Sequence, residues 1–247
     1  MTTRTRAAVV ITAAVVCGVQ VAAGVGWGVT EGQVADVSTG VIRGAVTIDD
    51  IPEAVMLEVT ADQATCGDEV EDRAEAVDAS GGVANAVIIV TGAAWAVDLP
   101  ASVVNNKDCY FQPRVQVAKT GGLVSIQSAD EVLHTTHAYD DRGRTMFNIA
   151  IPVPGMVIER PLRRPGVWRI ECDSHRWMRG WIYVTDDMAV VTGPDGRFEI
   201  SGVPAGTYEL MIWHERYRGT AEAVTVTVTA GQTSEADFKL SSRPPDG

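Results

Sequence analysis

Beyond residue 30 the sequence has almost no segment with apolar residues at helical spacing, which argues against a helical or α/β architecture. It is also poor in positive charge. Twenty Lys and Arg stand against 32 Asp and Glu, a formal net charge of −12. Phosphate binding needs clustered Lys and Arg, so nucleic acid is excluded as a partner. No glycine-rich phosphate loop and no nucleophile elbow is present, and the carboxylates show no pairing that points to hydrolysis. Only four histidines and four cysteines occur in 247 residues, so any metal chemistry must use few ligands.

What is present begins with "MTTRTRAAVVITAAVVCGVQVAAGVGWGVTEG". Arg4 and Arg6 make a positive start, and no charge follows from Ala7 to Thr30. Residues 1–30 therefore read as an export signal, with Val21 and Ala23 suiting cleavage and a mature chain from about Gly24. The uncharged run also has the roughly 20 residues that span a bilayer. An uncleaved membrane anchor through residues 7–29 is the alternative. Val16 precedes Cys17 where a lipoprotein site needs a small residue, so lipidation is not expected. Either way the folded part is expected to be extracytoplasmic, periplasmic or at the cell surface.

Export bears on the cysteines. Cys17 belongs to the leader, which leaves Cys66, Cys109 and Cys172, an odd number in an oxidising compartment. The economical arrangement is a Cys66–Cys109 disulfide with Cys172 free. A thiol kept free outside the cell is usually occupied, and metal is the usual occupant.

Short runs rich in Val, Ile, Thr and aromatics recur along the chain. Examples are "GVIRGAVTI", "NAVIIVTG", "RVQVAKTGGLVSIQS", "GVWRIEC", "GWIYVT", "GRFEISG", "GTYELMIW" and "EAVTVTVTAG". Gly, Pro, Asp and Asn separate them, as in "SGG", "TGG" and "PDG". This spacing predicts an all-β fold of sandwiches or barrels. The stretch "CGDEVEDRAEAVDASGG" reads as loop plus a short edge strand. The tail, residues 243–247, is expected to fray.

Within "ECDSHRWMRGWIYV", Cys172, His175 and Met178 recur at steps of three and lead into an apolar strand. A thiolate and two imidazoles in a trigonal plane, with a weak axial thioether, suit copper cycling between Cu(I) and Cu(II). The loop supplies one imidazole. The other histidines are His134, His137 and His214, and His134 follows an apolar strand in "SADEVLHTTHAYDD". The bland alternative is a core Cys, a core Met and a surface His. Met146, Met156 and Met188 read as core or loop filler. Trp168, Trp177 and Trp181 read as barrel packing or as the rim of an exposed His175.

"YFQPRVQVAKTGGLVSIQS", "ADEVLHTTHAY" and "PGVWRIECDSHRWMRGWIYV" together resemble the cupredoxins, the small blue-copper proteins. The ligand loop is most similar to that of the amicyanins, with Cys-x2-His-x2-Met followed by Arg-Gly and an upstream His-x2-His. The resemblance covers residues 103–186. It implies one type 1 copper held by His134, Cys172, His175 and Met178, with His137 a neighbour that does not bind. It also implies that electrons leave through an exposed His175 edge toward a redox protein partner. Cupredoxins usually carry Asn after the first His, tying the two ligand-bearing loops together. Here Thr135 stands there, and a hydroxyl is not expected to bridge as an amide does.

A second resemblance lies in "VVTGPDGRFEISGVPAGTYELMIWHE", which is similar to the carboxypeptidase regulatory-like domain, a transthyretin-like β-sandwich. Phe198 and Tyr208 are its expected core aromatics. Its opening strands are found upstream, at 40–48 and 83–92. One arrangement inserts the copper domain, 103–186, between sandwich parts 38–100 and 187–242. The rival sets a separate N-terminal β-segment beside a compact C-terminal sandwich. In "IWHERY", Trp213 reads as junction packing. A sharper reading sets His214 near the metal.

The expected function is single-electron transfer by an exported blue copper protein, not an enzyme. Alternatives are an extracytoplasmic copper carrier or sensor, and a cell-surface binding module in which copper is secondary. A multicopper enzyme is excluded by the histidine count.

Overall fold

The structure is a computed structural model that describes residues 38–217 and 222–241. The leader, Cys17 and the tail lie outside the described residues. Among those described, no helix is long and apolar enough to cross a membrane.

The chain opens with β1 (Thr39–Ile48). A small hairpin follows, β2 (Met56–Glu58) and β3 (Glu69–Glu71), with a single helical turn α1 (Gln63–Cys66) at its tip. Next comes β4 (Val87–Ala94). Nine strands then run without helix: β5 (Ser102–Lys107), β6 (Tyr110–Gln112), β7 (Val115–Ala118), β8 (Leu123–Ser128), β9 (His134–Tyr139), β10 (Thr145–Ile151), β11 (Val157–Pro161), β12 (Gly166–Glu171) and β13 (Arg179–Val184). The chain ends with β14 (Asp187–Val191), β15 (Arg197–Pro204), β16 (Gly206–Trp213), β17 (Val224–Val228), β18 (Thr233–Glu235) and β19 (Phe238–Leu240).

Pairing divides these strands sharply. β1 pairs antiparallel with β15 and parallel with β18 and β19. β4 pairs antiparallel with β14 and β16, and β17 extends that sheet. The two sheets enclose one core, which includes Ile42, Val46, Ile88, Val90, Phe198 and Leu210. β5 to β13 form sheets only with one another, in the orders β10-β9-β12-β13-β7 and β11-β8-β5-β6. A second core fills the space between them, with Val124, Ile126, Ile151, Leu162, Trp168 and Ile182. Two sandwiches result, and the chain enters and leaves the second between β4 and β14.

Alternation explains most strands. In β15, Phe198 and Ile200 are buried while Arg197 and Glu199 are exposed, so one face meets a core and the other meets water. β4 breaks that rule, because Val87 to Val90 are all buried. Ile88 and Val90 face the first core. Val87 and Ile89 instead join Val115 and Ala189 in a third apolar cluster, flanked by Trp181, Tyr183 and Trp213. A continuous apolar run marks a strand covered on both faces, and here the second sandwich covers one of them. Trp213 sits in this junction, 5.5 Å between ring centroids from Trp181 and 6.1 Å from Tyr183.

Two glycines carry the first sandwich. A Cβ on Gly44 would fall 1.8 Å from the Ala236 carbonyl oxygen, so only glycine lets β1 lie against the crossing from β18 to β19. In the "PDG" turn, Gly196 adopts φ 74° while Asp195 accepts the Arg197 N–H.

The β2–β3 hairpin does not belong to the first core. Val59 and Val70 are buried in the second, and Leu57 and Cys66 pack against it. Cys66 is bonded to Cys109, which fastens the helical turn to the second sandwich. Tyr110 adds a hydroxyl bond to the Glu71 carbonyl and lies under the Arg73 guanidinium. The sequence reading grouped this stretch with residues 38–100 of the outer sandwich. Its apolar side chains Leu57, Val59 and Val70 pack in the second core instead.

Candidate metal centre

β9 and β12 are antiparallel neighbours, with Ile170 opposite Ala138 and Glu171 opposite His137. That register sets Cys172, just past the end of β12, beside the first residues of β9. The loop from Cys172 to Met178 then turns back into β13, closed by the Met178 N–H donating to the His175 carbonyl at 2.9 Å. His134 begins β9.

Three donor atoms converge. Cys172 Sγ lies 3.5 Å from His175 Nδ1 and 4.0 Å from His134 Nδ1, and the two Nδ1 atoms are 3.0 Å apart. All three side chains are buried, and their donor atoms lie within 4.8 Å of one another. Met178 is fully buried in the same core cluster. The four residues that the sequence singled out come from two separate stretches and share one end of the second sandwich. A second group, Cys109, Asp130 and His134, offers no thiolate, because Cys109 is bonded to Cys66.

Each histidine is held from behind by a carboxylate. His134 Nε2 is 3.0 Å from Asp130 Oδ2, and His175 Nε2 is 2.9 Å from Asp62 Oδ2. A carboxylate at Nε2 fixes the orientation of each ring and turns its Nδ1 toward the sulfur, an arrangement that metal-binding histidines adopt. Neither aspartate was found from sequence. Asp130 lies four residues before His134, and its proximity was a readable signal. Asp62 lies 113 residues from His175 and gives no local one.

The thiol is activated. Burial on its own would raise the Cys172 pKa, but hydrogen bonds from His134, His175 and Thr135 outweigh it and bring it down to about 5. A thiolate at neutral pH is the form that binds metal. For His175, burial favours the neutral ring, but hydrogen bonds to Cys172 and Asp62 and their charges raise its pKa above the usual value.

Thr135 does more than the sequence suggested. Its N–H donates to Cys172 Sγ at 3.4 Å, and its hydroxyl reaches Sγ at 3.7 Å. The same hydroxyl accepts the Asp173 N–H at 2.6 Å. A hydroxyl can donate and accept at once, so Thr135 bridges the two loops where an amide was expected to be needed. His137 lies outside the trio, between Asp173 and Thr145, each at 2.9 Å.

His175 was expected at the surface, and the structure corrects this. Its ring has no exposed area. Asp62, at the tip of the hairpin, stands over Nε2, and the Trp177 ring lies tilted beside it at 5.0 Å between centroids. Trp177 is itself held by its indole N–H donating to the Cys109 carbonyl.

The sharper reading of His214 also fails. It is buried beside the first sandwich, stacked on Tyr217, and its Nδ1 accepts the Arg216 N–H. It is not among the converging groups. The following residue carries the junction instead. Glu215 makes two bonds to Arg114, at 2.6 and 2.9 Å, with both side chains nearly buried. Met188 lies in the first core, and Met146 and Met156 pack on the second, as filler.

An all-β protein of two sandwiches with a buried His–Cys–His cluster at the end of one is the class that fold and site define. The family model of the carboxypeptidase regulatory-like domain matches residues 182–241, which span β14 to β19. Solved structures similar to the chain include a purple cupredoxin from Nitrosopumilus maritimus. It has 19% identity, covers 34% of this chain and 98% of its own, and has a TM-score of 0.31. Amicyanin from Paracoccus versutus has 20% identity, covers 39% and 96%, and has a TM-score of 0.30. A Cu-containing nitrite reductase from Thermus scotoductus matches over 25% of its own length and 39% of this one, at 20% identity and a TM-score of 0.30. No curated protein matches the sequence.

Proposed function

We propose that the protein is an exported one-electron carrier with a single type 1 copper, and not an enzyme. The carrying observation is the convergence of His134 Nδ1, Cys172 Sγ and His175 Nδ1 in a site closed to solvent, with Met178 buried alongside. The donor set fits copper: the two imidazoles and the thiolate would hold it, and the Met178 thioether from the same loop would add a soft donor. Bound copper would supply the one-electron cycle. The chain's own part is to keep the donors in one arrangement through that cycle. Asp130 and Asp62 fix the two rings, and Thr135 fixes the sulfur. A site held this way reorganises little between oxidation states.

The domain reading belongs to the same proposal. The β5–β13 unit is a cupredoxin-type sandwich inserted into a carboxypeptidase regulatory-like sandwich made of β1, β4 and β14–β19. Strand pairing and the two separate cores support it. Export is supported by the disulfide, which forms in oxidising compartments.

Absorption and EPR spectra of the copper-loaded protein test the function. The expected result is an intense visible thiolate-to-copper band that Cys172→Ser abolishes. A colourless Cu(II) complex would sink the reading. A carrier that only delivers copper would lose metal on redox cycling, whereas repeated reduction and oxidation without loss supports electron transfer.

A further inference from the structure

We infer that the redox partner docks an acidic face into an arginine-lined groove beside Trp177, and not onto the edge of His175. The inference rests on the electron-carrier reading above.

The edge of His175 is closed. The ring is fully buried, Asp62 occupies its Nε2, and the Cys66–Cys109 bond holds the covering hairpin down. A partner cannot reach the imidazole there without displacing a disulfide-fastened segment. Next to it runs a groove of about 510 Å³. Trp177 lines this groove and also meets His175 at a tilt, 5.0 Å between ring centroids. It thus touches both the open groove and a candidate ligand. A single electron released by a reduced partner seated in the groove crosses Trp177 and His175 to reach the site.

Charge says what kind of partner fits. The chain carries −12 overall, yet the lining of this groove holds five arginines against three carboxylates. Of these, Arg114 and Arg216 are matched by Glu215 and Asp72. Arg176 is exposed and makes no ion pair among the described residues. Arg179, 56% exposed, meets only Glu171, at 3.7 Å. This unspent positive charge lies beside Trp177. On an acidic protein it steers acidic surfaces to one place and repels them elsewhere.

The test uses two probes and the Arg176→Glu/Arg179→Glu variant. Hexaglutamate peptide is titrated into metal-free protein at low salt while the indole NMR signals are followed. The Trp177 signal is expected to shift, and to stay still in the variant. No shift in the wild type overturns the docking surface, whether or not the protein takes copper. A shift produced equally by inorganic sulfate reassigns the groove to a small anion and overturns protein docking.

The second probe is hexacyanoferrate(III), an anionic one-electron oxidant, mixed with reduced copper-loaded protein. The variant is expected to react about tenfold more slowly at low ionic strength, with its visible spectrum unchanged. Equal rates in variant and wild type, with a faster reaction in Asp62→Ala, would return the route to the His175 edge. Failure to load copper counts against the electron-carrier reading, and the peptide titration still decides the surface.

Discussion

Asp62 Oδ2 stands 2.9 Å from His175 Nε2, although 113 residues separate them in the sequence. The aspartate precedes the helical turn α1 in a left-handed backbone conformation, φ 52°, which aims the hairpin tip at the ring. Four residues later Cys66 fastens that tip to the second sandwich. The hairpin thus closes the site and orients His175, one of the proposed ligands.

Removing that carboxylate should weaken metal binding without unfolding the protein. Asp62 is 44% exposed, so truncating it opens no cavity in the core. Carboxylates behind ligand histidines are worth about 10- to 100-fold in metal affinity. Asp62→Ala is expected to lose copper affinity in that range in a competition titration, with Asp62→Asn intermediate. Unchanged affinity in Asp62→Ala would falsify its orienting role.

The disulfide closes a loop with a sequence separation of 43. Chain-entropy arguments give about 4 kcal/mol for a loop of this size. The double variant Cys66→Ser/Cys109→Ser is expected to lose roughly that much in urea unfolding. It should also open His175 to histidine-modifying reagents in the metal-free protein. A variant that lost stability but kept His175 protected would show that apolar packing of Val59 and Val70 holds the hairpin by itself.

Much of this was readable. Alternation and turn residues announce the strands of both sandwiches, and cysteine arithmetic pairs Cys66 with Cys109, as the structure does. Cys172, His175 and Met178 were legible because one loop carries them. His134 was legible because histidines are few. The strands least marked by pattern were the short or exposed ones, such as β11 and β18, where no buried face imposes alternation. The cover over His175 was invisible for a different reason. It depends on which core a three-residue strand joins, and local sequence carries no record of that.

Thr135 tunes the sulfur through two hydrogen bonds, one of them from its side chain. Thr135→Val keeps the shape and removes the hydroxyl. The thiolate then bears more charge and favours the oxidised ion, so the reduction potential should fall. Loss of the bond from the Asp173 N–H should cost about 1 kcal/mol in unfolding. Voltammetry and urea titration on the same sample separate the two effects. A raised potential would contradict the assignment of Thr135 as donor to sulfur.

His214 supplies a pH dependence away from the metal site. Burial, with the charges of Arg114 and Arg216, pushes its pKa down to about 4 from a usual 6.5. The folded state holds the ring neutral, while the unfolded chain binds a proton below pH 6.5. Stability from this group is therefore complete above pH 6.5 and declines as pH falls toward 4. The full loss is about 3 kcal/mol. His214→Gln should flatten that part of the curve. The measurement is the difference between wild-type and variant unfolding free energies across pH 4 to 7, and a constant difference would count against the lowered pKa.

The junction between the sandwiches hangs on Arg114 and Glu215. Their side chains are 10% and 6% exposed, and the pair is bidentate. Asp72 lies 4.0 Å from the same guanidinium, too far to replace the lost bonds. Glu215→Ala strands a guanidinium that cannot shed its proton, and breaking a buried pair this way costs about 3–5 kcal/mol. The simultaneous change Arg114→Leu/Glu215→Leu removes both charges and should recover much of that loss. Trp181 meets Trp213 edge-to-face across the same junction, so its fluorescence reports whether the sandwiches stay together. In Glu215→Ala the emission should shift to longer wavelength at denaturant concentrations below the main unfolding step. A single coincident transition would mean that Val87, Ile89 and Val115 hold the junction without the ion pair.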